Sequence, residues 1–239
     1  MRFSVLIWFS LVWLAEPALA APSGPAADDR GRIRAGQDVL QAIRRHMAAY
    51  YDHYTGTVSR RLIKVTELDP DDGSTQRVKT IERRVREYIS REGRSRVISC
   101  RVDGKTRDND ECADRRRRVP MLPAFGRGSE KNYRLQLVPT GAGGRQRVHR
   151  VEVIPLAGTE RHFRGHMLFD RNYRLLTMAG TIADLPTGLQ KFSMTLHFRP
   201  MGKVDVVHRG HYEFTVYIPL VVDKVIRSEF RALDHQLLP

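Results

Sequence analysis

The sequence predicts a mainly β fold of the α+β class, in which a strongly curved antiparallel sheet carries one N-terminal helix. Three observations lead to this prediction. Apolar residues recur at helical spacing near the start of the chain, over Asp38–Tyr54. After Thr55 they recur at every second residue, in about ten short segments separated by turn residues. Helical and strand-like segments do not alternate, which argues against a parallel sheet built from βαβ units.

Residues 1–20 have the pattern of a secretory signal peptide. Arg2 precedes the apolar run Phe3–Leu14, and Ala18–Ala20 is typical of a cleavage site. The run is shorter than the roughly 20 residues that span a bilayer. An N-terminal membrane anchor or a buried helix is the alternative interpretation. No Cys follows the site for lipid attachment, so we expect an exported, periplasmic protein that is soluble and not lipidated.

The remaining chain is predicted to contain a leader and one domain. Residues 21–36 are rich in Pro, Gly, Ala and Asp and are expected to be disordered, whereas residues 37–239 are expected to fold as a single β-rich domain. In the predicted helix, one apolar stripe is formed by Val39, Ile43, Met47 and Tyr50. Three residues are predicted to lie off this stripe: Arg44, Arg45 and His46.

The strands are predicted from alternating or β-branched segments between clusters of turn residues. Asp103-Gly104 is the strongest hairpin signal, and further turns are predicted at Asp69–Gly73 and Met201–Lys203. The predicted strands are Thr57–Val65, Val78–Ser90, Val97–Val102, Tyr133–Leu137, Val148–Val153, Phe163–Phe169, Arg174–Ala179, Phe192–Phe198, Tyr212–Ile218 and Val221–Leu233. The N-terminal helix must bury its stripe, and the open face of this sheet is the expected place.

The chain is strongly basic, with 41 Lys and Arg against 27 Asp and Glu and a net charge of +14. An exported protein of this charge meets lipid headgroups, lipopolysaccharide phosphates and acidic polymers. Nucleic acid is not an expected partner, because few aromatic residues are interleaved with the basic ones. A four-residue run is a candidate contact for an anionic headgroup, with a solvated loop as the alternative: Arg115, Arg116, Arg117 and Arg118.

Two cysteines, Cys100 and Cys112, are predicted to form one disulfide. An even count and an oxidising compartment favour it, and the bond would stabilise the fold by about 3 kcal/mol. The alternative is a catalytic pair, which more often has Cys-x-x-Cys spacing.

Enzymatic activity, a cofactor and a metal site are not predicted. The sequence lacks the Gly-x-Ser-x-Gly, His-Glu-x-x-His and Ser-x-x-Lys motifs of hydrolases. The pairs His162/His166 and His208/His211 lie in predicted strands, where neither spacing brings two rings together. These histidines are interpreted as solvated or capping residues. A catalytic triad assembled from distant residues is the remaining alternative.

Long, flexible apolar residues recur on one face of two predicted strands. Such side chains adapt to irregular apolar ligands such as acyl chains, although a packed core gives the same pattern. With the helix residue that faces them, the candidate lipid contacts are Met167, Phe169, Met194, Leu196, Phe198 and Met47.

Three stretches of the sequence resemble outer-membrane lipoprotein-sorting proteins of the LolA-like superfamily. They are Arg86–Lys105 with its cysteine-bearing hairpin, Phe163–Gly180 with its Gly-x-x-x-x-Asp strand and turn, and Leu185–Phe198. The resemblance implies an incomplete β-barrel whose mouth is covered by a helical lid. It also implies an apolar cavity that takes lipid or lipoprotein acyl chains.

The leading functional prediction is therefore a periplasmic carrier that holds acyl chains against an apolar concave sheet, with basic residues at its rim. An anionic membrane surface or an envelope protein are further expected partners. Two alternatives stay open: a stress-sensing or regulatory protein-binding module on the same fold, and a secreted hydrolase.

Overall fold

The computed structural model describes most of the chain after residue 35. The described residues are 36–48, 55–88, 95–112, 124–125, 128–138, 148–219 and 222–238. The predicted signal peptide, nearly all of the predicted leader and the run Arg115–Arg118 lie outside these ranges.

The described residues form one helix of several turns followed by eleven strands. The helix, α1, covers residues 36–48. The strands are β1 (Gly56–Leu68), β2 (Thr75–Tyr88), β3 (Ser95–Val102), β4 (Lys105–Thr106), β5 (Tyr133–Val138), β6 (His149–Pro155), β7 (Phe163–Phe169), β8 (Leu175–Ile182), β9 (Leu189–Met201), β10 (Val204–Ile218) and β11 (Val222–Leu238). Two single turns, α2 (Asn109–Cys112) and a 3-10 turn (Ser129–Lys131), lie between strands. None of the described helices is both long enough and apolar enough to cross a bilayer.

All eleven strands form one antiparallel sheet in the order β4-β3-β2-β1-β11-β10-β9-β8-β7-β6-β5. The chain is a meander in which the last strand returns to pair with the first, from Gly56 opposite Leu238 to Leu68 opposite Val225. The edge strands β4 and β5 do not pair with each other, so the sheet is open. The prediction of a mainly β fold with an antiparallel sheet and an N-terminal helix is confirmed.

Turn chemistry sets the hairpins at the predicted places. Asp103 and Gly104 have φ angles of 48° and 78°, which is the positive-φ pair that a two-residue hairpin between β3 and β4 requires. The Asp103 carboxylate also accepts the backbone N–H of Thr80 at 2.8 Å, which ties this hairpin to β2. Gly73 and Gly202 adopt positive φ in the turns after β1 and β9.

The core lies between α1 and one face of the sheet, which we term the inner face. Ile43 on α1 is fully buried, and Val39, Leu40 and Met47 pack beside it against strands β5–β9. The helix starts close to Leu137 on β5, since a Cβ atom added to Gly36 would lie 3.8 Å from Leu137 Cδ2. The apolar stripe therefore covers the open face of the sheet as predicted; its last predicted member, Tyr50, lies outside the described residues.

One prediction for the helix is wrong. His46 does not lie off the buried side, because its ring is only 22% exposed and reaches β10. It follows Ile43 by three residues, a spacing that places both side chains on one helical face. A polar residue at the margin of an apolar stripe can thus face the sheet when the sheet provides a polar partner.

Candidate functional site

The sheet divides between β10 and β11. Their ladder runs from Ile218 opposite Val222 to Arg209 opposite Arg231 and ends there. Beyond it, Val204–Val207 pair only with β9, while the end of β11 pairs only with β1. The separation is accompanied by two register shifts, one at His208 on β10 and one on β11 opposite Val58/Arg60 of β1. Asp234, within the second shift, has a positive φ of 52°.

A cavity of about 270 Å³ occupies this division, and we term it the fork cavity. Val204–Val207 line one side of it, and His235 on β11 lines the other. His46 and Met47 near the described end of α1 lie over it. A cavity therefore exists under the N-terminal helix, where a lid was predicted.

One wall of the fork cavity is apolar. It is formed by side chains of the 124–125 segment and of β7 to β10: Ala124, Phe125, Phe163, Met167, Leu175, Met178, Phe198 and Val206. Of the six predicted lipid contacts, Met167, Phe198 and Met47 line the cavity.

The other three predicted lipid contacts lie elsewhere. Phe169 and Met194 share the inner face but are buried among other core side chains and do not line the cavity. Leu196 lies beside Gly210 and does not line the cavity. The same-face rows were predicted correctly, whereas lipid contact by any of these residues stays a prediction.

The opposite wall is polar. Arg61 on β1 forms an ion pair with Glu87 on β2, and its guanidinium lies 5.6 Å from the centre of the Phe230 ring. The Arg61 side chain is only 15% exposed. Neither Arg61 Nε nor either ring nitrogen of His235 has a hydrogen-bond partner among the described residues, although all three atoms are buried.

Burial is the main influence on the pKa of His235 and lowers it below the ordinary histidine value of about 6.5. The charge of Arg199 acts in the same direction. The carbonyl of Ala232 favours the protonated ring to a lesser extent, but no ring nitrogen reaches hydrogen-bond geometry. His235 is therefore a neutral ring near pH 7, with one N–H to donate and one nitrogen to accept.

The helix is attached to the cavity rim through a buried carboxylate. Asp205 on β10, whose side chain is 4% exposed, accepts a hydrogen bond from His46 Nε2 at 3.2 Å. It also accepts the backbone N–H of Leu175 at 2.9 Å and lies 3.4 Å from Arg174 Nη1. Because Asp205 is held by β8, the contact with His46 fixes the end of the described helix over the cavity.

The outer face of the sheet carries a second depression, an open groove of about 750 Å³. A cross-strand row runs through it, with His197, Arg209, Arg231, Leu62, Glu82 and Arg101 directly opposite one another in turn. Glu82 pairs with Arg60, whereas the three arginines of the row make no ion pair with the described residues. Two arginines directly opposite each other repel, which costs stability.

Cys100 and Cys112 form the predicted disulfide, with Cα atoms 6.2 Å apart. Both are buried, and the carbonyl of Cys112 accepts a hydrogen bond from Arg83 Nη1 at 3.1 Å. The bond holds the segment after β4 against the inner side of β2 and β3. Its structural interpretation fits this position, where Cys100 lies opposite Arg83, which in turn lies opposite Arg61.

The paired histidines occupy separate environments. His162 is buried and its Nδ1 lies 2.6 Å from Thr159 Oγ1, whereas His211 lies beside Glu229 on the outer face. In the part of the chain that the structure describes, no three His, Cys, Asp or Glu side chains cluster in a way that could hold a metal ion. The expectations about enzymatic activity and cofactors stay predictions.

Sequence reasoning missed the polar wall. Arg61 and His235 come from opposite ends of the domain and meet only because β11 returns to pair with β1. The one available signal for a polar wall was that Arg61 and Thr57, two polar residues, occupy strand positions that face inward. The predicted anion contact at Arg115–Arg118 lies outside the described residues.

Comparison with known proteins adds little to this geometry. No protein-family model matches the sequence, and no curated protein is significantly similar to it. Among solved structures, the chain is similar to the crystal structure of a DUF1329 family protein from Desulfovibrio piger, with a TM-score of 0.38 and 8% identity. The alignment covers 84% of this chain and 92% of that chain. A TM-score this low carries no argument, so the resemblance to lipoprotein-sorting proteins stays a prediction.

Proposed function

We propose that this protein is a periplasmic lipid-binding carrier that holds an acyl chain in the fork cavity. The observation that supports the proposal is the position of the cavity, between an apolar wall of Met167, Met178 and Phe198 and the helix α1. Ligand sites are concave, mostly apolar and equipped with a few polar groups, and the fork cavity has this composition.

The cavity volume suits a ligand with one acyl chain. An apolar cavity of about 150 Å³ takes benzene, so about 270 Å³ accommodates roughly ten carbon atoms. Burial of about nine methylenes contributes roughly 7 kcal/mol before the cost of association, which corresponds to a dissociation constant above about 1 μM. Binding of this strength suits a carrier that must release its ligand.

The outer-face row supports a role at an anionic membrane surface. Arg101, Arg209 and Arg231 are exposed and lack ion pairs with the described residues, and Leu62 in the same row is 39% exposed. Basic residues with an exposed apolar side chain among them suit contact with anionic lipid headgroups. We propose that this face approaches the membrane while the cavity carries the chain.

The proposal is tested by lipid analysis of the purified protein and by acyl-chain binding. Organic extraction followed by mass spectrometry should release fatty acyl species, and a fluorescent fatty acid should bind in equimolar amount. Met178→Trp fills the cavity and should lower that affinity at least tenfold. Val78→Trp, which places the same new side chain at an exposed site on the outer face, should leave the affinity unchanged. Equal affinity in both variants would rule out the fork cavity as the binding site.

A further inference from the structure

The polar wall of the fork cavity includes two residues with buried polar atoms that have no partner among the described residues. Arg61 Nε and the two ring nitrogens of His235 have no hydrogen-bond partner among the described residues. Buried polar atoms are almost always paired, because leaving one unpaired costs the desolvation of that group. Arg61 and His235 both line the fork cavity, so a small turn of either side chain would bring these nitrogens to a polar group of a ligand bound there.

The charge of the wall selects the sign of that group. Arg61 is cationic and is held in place by Glu87 on one side and by the Phe230 ring on the other. Lys203 adds an exposed cation at the rim, without an ion pair among the described residues. Arg199 acts on His235 from β9.

The acidic groups near the cavity are already satisfied by protein partners. Glu87 pairs with Arg61, and Asp205 accepts from His46, Leu175 and Arg174. The unused hydrogen-bonding capacity is therefore that of Arg61 and His235, and the rim adds positive charge, so the wall favours an anion.

The shape of the cavity selects the ligand class. The apolar wall and the polar wall belong to one cavity, so a molecule that uses both has an apolar chain and a compact head. The volume of about 270 Å³ matches one chain of roughly ten carbon atoms with a small headgroup. A carboxylate is the smallest anionic head and matches the donors of a guanidinium.

We propose that the fork cavity binds a single medium-chain fatty acid, with its carboxylate accepting hydrogen bonds from Arg61 and His235 and its chain against Met167, Met178 and Phe198. This inference rests on the proposed function and adds the ligand class and the head subsite. Arg61 is the charged contact and His235 the neutral donor.

Titration of His235 gives an independent consequence. Three charged groups act on the ring: Arg199 and Arg61 lower its pKa, and Glu87 raises it. A carboxylate placed beside the ring adds a second negative charge and favours the protonated form. Fatty acid binding should therefore raise the pKa of His235, whereas binding of an uncharged alcohol of equal length should not.

The experiment compares decanoate with 1-decanol by isothermal titration calorimetry at pH 7.5. In the wild type, decanoate should bind at least tenfold more tightly than decanol. Arg61→Met should remove this preference and leave decanol affinity within twofold. Arg61→Lys should restore part of it. Arg84→Met, an equal charge change at an exposed outer-face arginine, should leave both affinities unchanged.

Two different failures are distinguishable. If neither decanoate nor decanol binds, the fork cavity is not an acyl-chain site and the proposed function fails. If both ligands bind equally and Arg61→Met changes neither affinity, the fork cavity is still an acyl-chain site but the proposed carboxylate subsite is refuted. Decanol binding by Arg61→Met reports that the variant is folded, and ¹³C-detected titration of His235 in the wild type provides the second measurement if that variant does not fold. An unchanged His235 pKa on decanoate binding would overturn the subsite.

Discussion

His46 Nε2 lies 3.2 Å from Asp205 Oδ2, and this hydrogen bond joins the helix to the strand that borders the fork cavity. Asp205 is nearly fully buried and also receives the backbone N–H of Leu175, so its position is set by β8 and not by the helix. Asp205 would therefore keep its position without His46, whereas the helix would lose one of its contacts with the sheet.

The first prediction concerns this contact. His46→Ala should loosen α1 without unfolding the sheet, because it removes one hydrogen bond to a charged group, worth about 1.5–3 kcal/mol. Amide hydrogen exchange in residues 36–48 should become at least tenfold faster, with β8 and β10 unchanged. Arg45→Ala, on the exposed side of the same helix, is the matched control. Faster exchange throughout the sheet in His46→Ala would show that the residue supports the whole fold instead.

The second prediction concerns two glycines that face each other on the inner side of β7 and β8. Gly165 lies opposite Gly180, and the Phe163 ring packs over both. A Cβ atom on Gly180 would meet the carbonyl oxygen of Arg164 and the Phe163 ring at distances that no side chain tolerates. The absence of both side chains is what allows Phe163 to be buried beside the cavity.

Gly180→Ala should therefore destabilise the protein by about 1–3 kcal/mol through overpacking, measured by urea denaturation monitored by circular dichroism. Phe163 also lines the fork cavity, so acyl-chain affinity should fall in the same variant. Gly158→Ala lies in open space and should change neither quantity. Surface substitutions usually change stability by less than about 0.5 kcal/mol. A loss in Gly180→Ala that is no larger than this would contradict the packing argument.

The strands and turns were predictable because local patterns encode them. Period-two alternation located β5 and β6, and the Asp103-Gly104 turn appeared where positive φ angles are required. The fork was not predictable, because no local pattern shows where two neighbouring strands stop pairing. It depends on register shifts at His208 and near Ser59, which arise from how β10, β11 and β1 pack together.

The candidate site was predictable only in its apolar half. Met167 and Phe198 belong to rows that alternation reveals within one strand. Arg61 and His235 meet through a pairing between the first and last strands, which requires the topology of the whole sheet. Phe169 and Met194 show the limit of the pattern, since one face carries both core and cavity residues and periodicity does not separate them.

The third prediction concerns the outer-face row. Arg209→Glu/Arg231→Glu should lower binding to vesicles containing phosphatidylglycerol at least tenfold, because each basic residue near an anionic surface contributes about 1 kcal/mol. Cosedimentation at low salt measures this, and wild-type binding should weaken as salt shortens the Debye length. Arg134→Glu/Arg164→Glu changes the net charge equally at exposed positions outside the row. Equal losses in both double variants would mean that net charge alone, and not this face, attracts the membrane.

The fourth prediction is a loss of stability in mild acid. Burial is the largest influence on four histidines and lowers the pKa of each below the ordinary value of about 6.5: His166, His197, His208 and His235. Nearby arginines add to the effect, with Arg199 acting on His235 and Arg209 on His208. Arg61 opposes and Glu87 favours the protonated form of His235. Burial outweighs the effect of Glu87, so the pKa of His235 is lowered overall.

The sign of the effect follows from proton binding. In unfolded chains these rings protonate near pH 6.5, whereas in the folded protein they protonate only at lower pH, so the unfolded state binds more protons in between. The free energy of unfolding should thus be fully present above about pH 6.5 and should decrease as the pH falls through the folded pKa values. Urea denaturation at pH 7.5, 6.0 and 5.0 measures this decrease, and His208→Gln/His235→Gln should flatten it. Arg199→Gln should raise the pKa of His235 in an NMR titration by removing a repelling charge. Stability that stayed constant or rose on acidification would show that these rings are not buried as neutral groups.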